Sequence, residues 1–241
     1  MPDGRFRQAA PRKHEKGANG IVTYVFIHGL QQTSSSWDKV IARLPADIQI
    51  YRPCLSALVK GTQPAYQNLY NAFENECCCM EMPLCLCGIS LGAILALQYT
   101  RNNPQKVKSL MLIAPQYKMP RLLLGIQNIM FYIFPQAAFS AMGFSKRDMI
   151  ALTTSMKKID FTPFLNEITC PVFIVCGRKD RANQKAAKML ANTIPNARLF
   201  FVENAGHEVN IDAPETLADL MKEAWLLPIC KNGKTGKSCQ R

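Results

Sequence analysis

The stretch Pro83 to Leu97, PLCLCGISLGAILAL, constrains the fold of this chain more than any other. A short apolar run ends in Gly88-Ile89-Ser90-Leu91-Gly92, and a helix-forming run without proline or charge follows it. A glycine on each side of a serine, between a strand and a helix, is the pattern of a turn too sharp for side chains to pack around. Such a turn holds the serine hydroxyl out beyond the end of a sheet, at the positive end of a helix. That is the context of a nucleophile elbow, and it makes Ser90 the candidate nucleophile.

The elbow requires strands before and after it, and the chain supplies them. Ile21–Ile27 (IVTYVFI), Ile48–Arg52, Pro83–Cys87, Val107–Ile113, Pro171–Cys176 and Ala197–Val202 read as short apolar or β-branched strands. Helical patterns fall between them, near Trp37–Leu44, Ala65–Cys79, Leu91–Asn102, Ala182–Thr193 and Pro214–Leu227. Ser34-Ser35-Ser36 offers N-caps for the first of these. Pro53 to Pro64 reads as a loop. Strands alternating with helices predict an α/β fold: a mostly parallel sheet of about six strands with helices on both faces.

One stretch breaks the alternation. Gln116 to Asp160 is too long for a loop and is rich in Leu, Ile, Met and Phe. It predicts a helical lid over the strand ends. Its run Arg121–Phe134 would line an apolar acyl pocket, with Gly125 and Pro135 as hinges. The expected organisation is a basic flexible leader over 1–20, one domain over 21–227 with the lid at about 116–160, and a basic tail over 228–241.

Charge and cysteine content narrow the function classes. The net charge of +12 is uneven: residues 1–17 carry five basic and two acidic side chains, and 228–241 carry four basic and none acidic. No basic–aromatic repeat points to nucleic acid, while contact of the basic ends with a membrane surface stays open. The ten cysteines include Cys77-Cys78-Cys79 and Cys85-x-Cys87, which have neither disulfide-framework nor zinc-ribbon spacing. The leader has no apolar signal core. A reduced, cytoplasmic protein is expected, with cysteines acting as small hydrophobes and none catalytic or metal-bound. The most apolar window, Leu122–Phe139, is interrupted by polar residues, Gly and Pro and makes a poor membrane span.

A serine hydroxyl needs a base, and the base needs a carboxylate to fix its tautomer. The chain has three histidines, His14, His28 and His207. His14 lies in the leader. His207 follows a strand, in Asn204-Ala205-Gly206-His207-Glu208, and is the candidate base. Asp180 ends Gly177-Arg178-Lys179-Asp180, directly after another strand, and is the candidate acid, with a helix N-cap as its competing role. Asp212 is a second acid candidate that reads better as a cap before Pro214, and Asp160 has no strand end beneath it. The resulting order is Ser90, Asp180, His207.

These motifs, with His28-Gly29 and Trp37 downstream of it, resemble the α/β-hydrolase superfamily, especially small bacterial serine esterase-like members with a helical cap. The resemblance runs from about Ile21 to Trp225. It implies that the backbone N–H groups of Leu30 and Leu91 form an oxyanion hole and that His28 orients its loop without being the base. It also implies an extra antiparallel hairpin at the start, but residues 1–20 alternate too little to form one. Many members carry Asp-x-x-Gly-x-Gly-x-Ser after the second core strand, where this chain has Arg52-Pro53-Cys54-Leu55-Ser56-Ala57.

The function expected from the residues and the resemblance is hydrolysis of a carboxylic ester with a small apolar acyl group, acting on a small molecule through an acyl-enzyme, without metal or cofactor. The same three residues also suit thioesters, amides, lactones and carbon–carbon bonds. A homologue that binds or signals with little turnover is the alternative from another class. The sequence leaves the oligomeric state open.

Overall fold

A computed structural model describes residues 22–119 and 144–226, with side chains described as far as residue 223. Six strands form one sheet: β1 (Thr23–Ile27), β2 (Gln49–Tyr51), β3 (Leu84–Ile89), β4 (Val107–Ile113), β5 (Val172–Gly177) and β6 (Ala197–Val202). Their spatial order is β2-β1-β3-β4-β5-β6. Every pairing is parallel.

Alternate side chains along each strand feed two separate apolar layers, as the pleat requires. Val25, Ile27, Leu84, Leu86, Leu110, Leu112, Val172 and Ile174 face one layer. Tyr24, Phe26, Cys85, Cys87, Met111, Ile113, Phe173 and Val175 face the other. The first layer is covered by α3 (Tyr66–Cys78), α4 (Leu91–Asn102), α5 (Lys146–Ser155) and α6 (Arg181–Thr193). The second is closed by α1 (Asp38–Ile41), α7 (Val209–Asp212) and α8 (Pro214–Leu220), with Trp37 fully buried edge-on against Phe26 at 5.2 Å. Each fully buried Leu, Ile, Val or Phe contributes roughly 1.5–3 kcal/mol, so two such layers clamp the sheet between its helices.

Several elements differ from the sequence reading. Ser34–Trp37 forms a 3-10 turn with Thr33 at its N-cap position and no side-chain capping bond, so the serines lie inside the turn and do not cap it. Pro53–Pro64 contains a helical turn, α2 (Leu55–Leu58), because Leu55 buries completely. The last helix changes pitch at Met221 and continues as a π-helix to Leu226. Asp212 does not cap α8: Ala213 occupies that position, and the Asp212 carboxylate accepts from Gly206 N–H at 2.7 Å.

Cys85 and Cys87 are both buried, and burial pushes the Cys85 thiol up to about 11 and the Cys87 thiol well above its usual range. Such thiols are inert near neutral pH. Cys77 is buried, while Cys78 and Cys79 are exposed.

Of the expected lid, the described parts are its two ends. Lys118 and Asp160 pair in an antiparallel bridge, with Met119 N–H donating to Ile159 O at 3.0 Å and Phe161 N–H to Tyr117 O at 2.8 Å. Within the segment, α5 starts in a capping box of Ser145 and Asp148 and buries Met149 and Leu152 in the same layer as α3. The run Arg121–Phe134 and its expected hinges Gly125 and Pro135 lie outside the described residues, as do the leader with His14, the tail 228–241 and the window Leu122–Phe139. No helix among the described residues is long and apolar enough to cross a membrane.

Candidate active site

The chain leaves β1 toward β2 on one side, and β3 lies on the other, so the strand order reverses between β1 and β3. In a parallel sheet a crevice opens at that point, beyond the carboxyl ends of the strands. Gly29 follows β1 there and Ser90 follows β3.

Ser90 sits at φ 54°, ψ −112°, outside the regions an L-residue prefers, which costs on the order of 1–3 kcal/mol. The surroundings enforce it. Ser90 N–H donates to Ile113 O at 3.0 Å, pinning the turn to the end of β4. A Cβ on Gly88 would lie 2.2 Å from Gly92 O, and one on Gly92 would lie 2.2 Å from Ile27 O. The two glycines therefore permit the close approach of α4 to β3 and β1 that the sequence pattern anticipates.

Asp180 and His207 are brought together from the ends of β5 and β6. His207 Nδ1 lies 3.0 Å from Asp180 Oδ2, with the carboxylate side chain 5% exposed and the ring 45%. Gly177 enables this, since a Cβ there would lie 2.1 Å from Gly206 O, in the loop that carries the histidine. Asp180 occupies the N-cap position of α6, but its side chain makes no capping hydrogen bond. Asn183 Nδ2 donates instead to both carboxylate oxygens, at 2.9 and 2.8 Å, and Gln116 Nε2 donates to Asn183 Oδ1 at 2.5 Å. Burial alone would raise the Asp180 pKa, but the hydrogen bonds from His207 and Asn183 outweigh it and hold the carboxyl below its usual range. An ionised carboxylate only accepts, so His207 must present N–H at Nδ1, which leaves Nε2 with a free lone pair.

Ser90 and His207 line one cleft of 260 Å³ with Gly29, Leu30, Gln32 and Glu208. Among the described contacts no hydrogen bond joins Ser90 Oγ to the ring. Leu30 N–H and Leu91 N–H have no acceptor among the described residues, and Leu91 is the first residue of α4, where an N–H lacks an intrahelical partner. A larger hollow of 520 Å³ lies between Ser56, Lys60, Thr62, Phe144 and Asp148, and neither Ser90 nor His207 lines it. No cluster of His, Cys, Asp or Glu among the described residues could hold a metal ion.

His28 is buried and bonded on both sides. Its Nδ1–H donates to Gly29 O at 2.8 Å, and its Nε2 accepts from Leu55 N–H at 3.1 Å. With both ring nitrogens engaged it links the loop after β1 to α2. Burial holds its pKa below the ordinary imidazole value, with the bond to Gly29 opposing that shift. The unfolded chain therefore takes up the proton first. Stability from this group is complete above about pH 6.5 and falls as pH drops through the folded pKa. Urea midpoints between pH 5 and 8 will decline less steeply on the acid side for His28→Gln than for the native chain. Parallel declines would show that His28 does not titrate with folding.

Sequence reasoning missed Asn183, Gln32 and Asn210. Asn183 was legible as the residue one helical turn after Asp180. Gln32 and Asn210 are 178 residues apart, and nothing local marks them as partners.

A model of the alpha/beta hydrolase family matches residues 24–220. The chain is 25% identical to the pimeloyl-[acyl-carrier protein] methyl ester esterase of Aromatoleum aromaticum, over 83% of this chain and 96% of the relative. It is 23% identical to the monoacylglycerol lipase ABHD6 of Mus musculus over 58% of this chain and 47% of the relative. Among solved structures, a thermophilic esterase from Thermogutta terrifontis superposes with a TM-score of 0.72 at 17% identity, covering 86% of this chain and 90% of its own.

Proposed function

The chain belongs to the alpha/beta hydrolase family, and we propose that within it the protein is a serine hydrolase that cleaves a carboxylic ester of a small, uncharged acyl group. The observation that carries this reading is the meeting of three strand ends. Ser90, held at positive φ, lines one cleft with His207, and the His207 ring is paired with buried Asp180. The ester-cleaving relative that matches most of the chain supports the ester over other acyl compounds.

The chemistry follows from the roles these atoms suit. Ser90 Oγ attacks the ester carbonyl while His207 Nε2 takes its proton, and Asp180 stabilises the imidazolium through Nδ1–H. Negative charge moves to the carbonyl oxygen, where Leu30 N–H and Leu91 N–H stabilise it. Collapse of the tetrahedral intermediate breaks the bond to the leaving oxygen, which takes the proton from His207. Water then adds to the acyl-enzyme with His207 again as base, releasing the acid and restoring Ser90. The small cleft volume and the apolar sides of Leu30 and Ile89 favour short acyl chains.

The test is a panel of p-nitrophenyl esters from acetate to palmitate beside matched thioesters and anilides, with fluorophosphonate labelling of Ser90. Turnover is expected for short esters and labelling at Ser90 alone. Labelling without turnover of any ester would remove the esterase reading, and absence of both would remove the serine hydrolase.

A further inference from the structure

Gln32 stands at the centre of a buried polar cluster that joins the loop after β1 to the loop after β6. We propose that Gln32 is a positioning residue for the oxyanion-binding loop, with its amide held in one orientation by Glu208 and Asn210; this rests on the serine-hydrolase reading above. The sheet separates the two loops. Between β1 and β6 stand β3, β4 and β5, roughly 19 Å of sheet at about 4.8 Å per strand. The oxyanion donor Leu30 belongs to the first loop and the base His207 to the second. Their relative placement depends on whatever ties the loops together.

The tie begins at Gly29. Its N–H donates to Gln32 Oε1 at 3.2 Å, and its carbonyl accepts from Gln32 N–H at 3.2 Å and from His28 Nδ1–H at 2.8 Å. Both polar groups of Gly29 are thus consumed inside the loop. The next donor, Leu30 N–H, is the one left without an acceptor among the described residues.

This holds only while the Gln32 oxygen faces Gly29. A flipped amide would set NH₂ against N–H, two donors face to face. Gln32 Nε2 donates to Glu208 Oε1 at 2.9 Å and to Asn210 Oδ1 at 3.1 Å. A carboxylate has no hydrogen to give, so Glu208 permits the nitrogen and rejects the oxygen. Asn210 Nδ2 donates back to Gln32 Oε1 at 3.3 Å and to Ser36 O at 3.2 Å. Ser36 Oγ donates to the same Gln32 oxygen at 3.3 Å. Gln32 is 7% exposed and Asn210 is 0%, so water does not compete for these bonds. Glu208 is exposed at the cleft rim, directly after the base.

The cluster therefore fixes an oxyanion donor relative to the base, the kind of preorganisation that acts on the transition state more than on substrate binding. Gln32→Met keeps the side-chain length and removes the amide. Gln32→Glu keeps an acceptor for Gly29 N–H but opposes Glu208. Pairing Gln32→Glu with Glu208→Gln exchanges the donor and the carboxylate between these two positions, and the loss of the bond to Asn210 Oδ1 is common to both variants.

Each variant is compared with the native chain on a short p-nitrophenyl ester and by its affinity for a trifluoromethyl ketone, which forms an oxyanion on Ser90. Gln32→Met is expected to lower kcat by about 10- to 100-fold with KM within about twofold, and ketone affinity is expected to fall in proportion to kcat/KM. Gln32→Glu is expected to lose as much, and the exchanged pair to recover at least about tenfold of it. A residue that only holds the fold would lower thermal stability without this split. The proposal is overturned if folded Gln32→Met keeps kcat within about twofold, or if the exchanged pair is no better than Gln32→Glu. Should Gln32→Met not fold, the exchanged pair decides. A native chain without turnover and without Ser90 labelling overturns the serine-hydrolase reading and this proposal with it, whereas an active native chain with unaffected Gln32 variants overturns this proposal alone.

Discussion

Ser90→Ala and His207→Ala will each lower kcat on a short ester by on the order of 10⁶-fold, because members of such a unit fail together when one is removed. Binding and the oxyanion donors remain in both variants, so a residual acceleration of ~10³–10⁴-fold over water is expected. Asp180→Asn will cost about 10⁴-fold for a different reason. An amide at that buried position presents a donor toward His207 Nδ1, which favours the tautomer with its proton on Nε2, where the lone pair is needed. It also faces the Asn183 NH₂ that now donates to both carboxylate oxygens. Asp212→Asn is the control. Its carboxylate accepts from Gly206 N–H, one residue before the histidine, and an asparagine there keeps an oxygen that can accept the same bond, so a loss of less than about tenfold is expected. Steady-state kinetics on folded proteins decide it. Near-normal turnover in Asp180→Asn beside a large loss in Asp212→Asn would move the acid from β5 to the segment after β6.

A large loss of stability is expected at Gly92. An alanine Cβ there would lie 2.2 Å from Ile27 O, 2.7 Å from Ile27 C and 2.9 Å from His28 O. All three are backbone atoms of the interior strand β1 and the residue after it, and they cannot rotate away. Either α4 lifts from the sheet or β1 is displaced, and Gly92→Ala will cost about 3 kcal/mol or more, a large part of the ~5–15 kcal/mol that a domain has. Gly61 gives the comparison. It has φ +81°, and an added Cβ there would meet nothing within 4 Å, so Gly61→Ala carries only backbone strain of about 1–2 kcal/mol. Urea unfolding of the two variants separates a steric cost from a conformational one. Equal midpoints would mean that the elbow tolerates a wider separation than its contacts suggest.

The fold was legible because a fully buried parallel strand has little choice of composition. TYVFI, LCLCGI and VFIVCG are apolar on both faces, and the structure places them inside the sheet, none at an edge, with their side chains divided between two layers. The elbow was legible for a related reason: only glycine at 88 and 92 allows backbone within 2.2 Å of a would-be Cβ. Boundaries were less legible where several local states compete. The three serines before Trp37 suit either a cap or a tight turn, and the packing of Trp37 under Phe26 selects the turn. Asp212 suited a cap by local pattern, but Gly206 N–H is a partner that only the folded loop brings near. Amide networks such as Gln32 with Asn210 leave no periodic trace, since their pairing depends on two distant loops meeting.

The bridge between Lys118 and Asp160 has a consequence for how this chain can diversify. It brings the two ends of the segment it encloses into register, reinforced by the ion pair of the same two side chains at 2.8 Å. Between those ends α5 packs into the first apolar layer through Met149 and Leu152, and Tyr66 N–H donates to Ser155 Oγ at 2.8 Å, so this part of the segment belongs to the frame. Because loop-closure entropy grows only with the logarithm of length, doubling or halving a flexible connection between Met119 and α5 changes the closure cost by about 0.6 kcal/mol. The strand ends that carry Ser90, Asp180 and His207 lie outside that connection. Chain of different length and chemistry can therefore be exchanged between Met119 and α5, by recombination or by design, while α5 and the hydrolytic frame keep their packing.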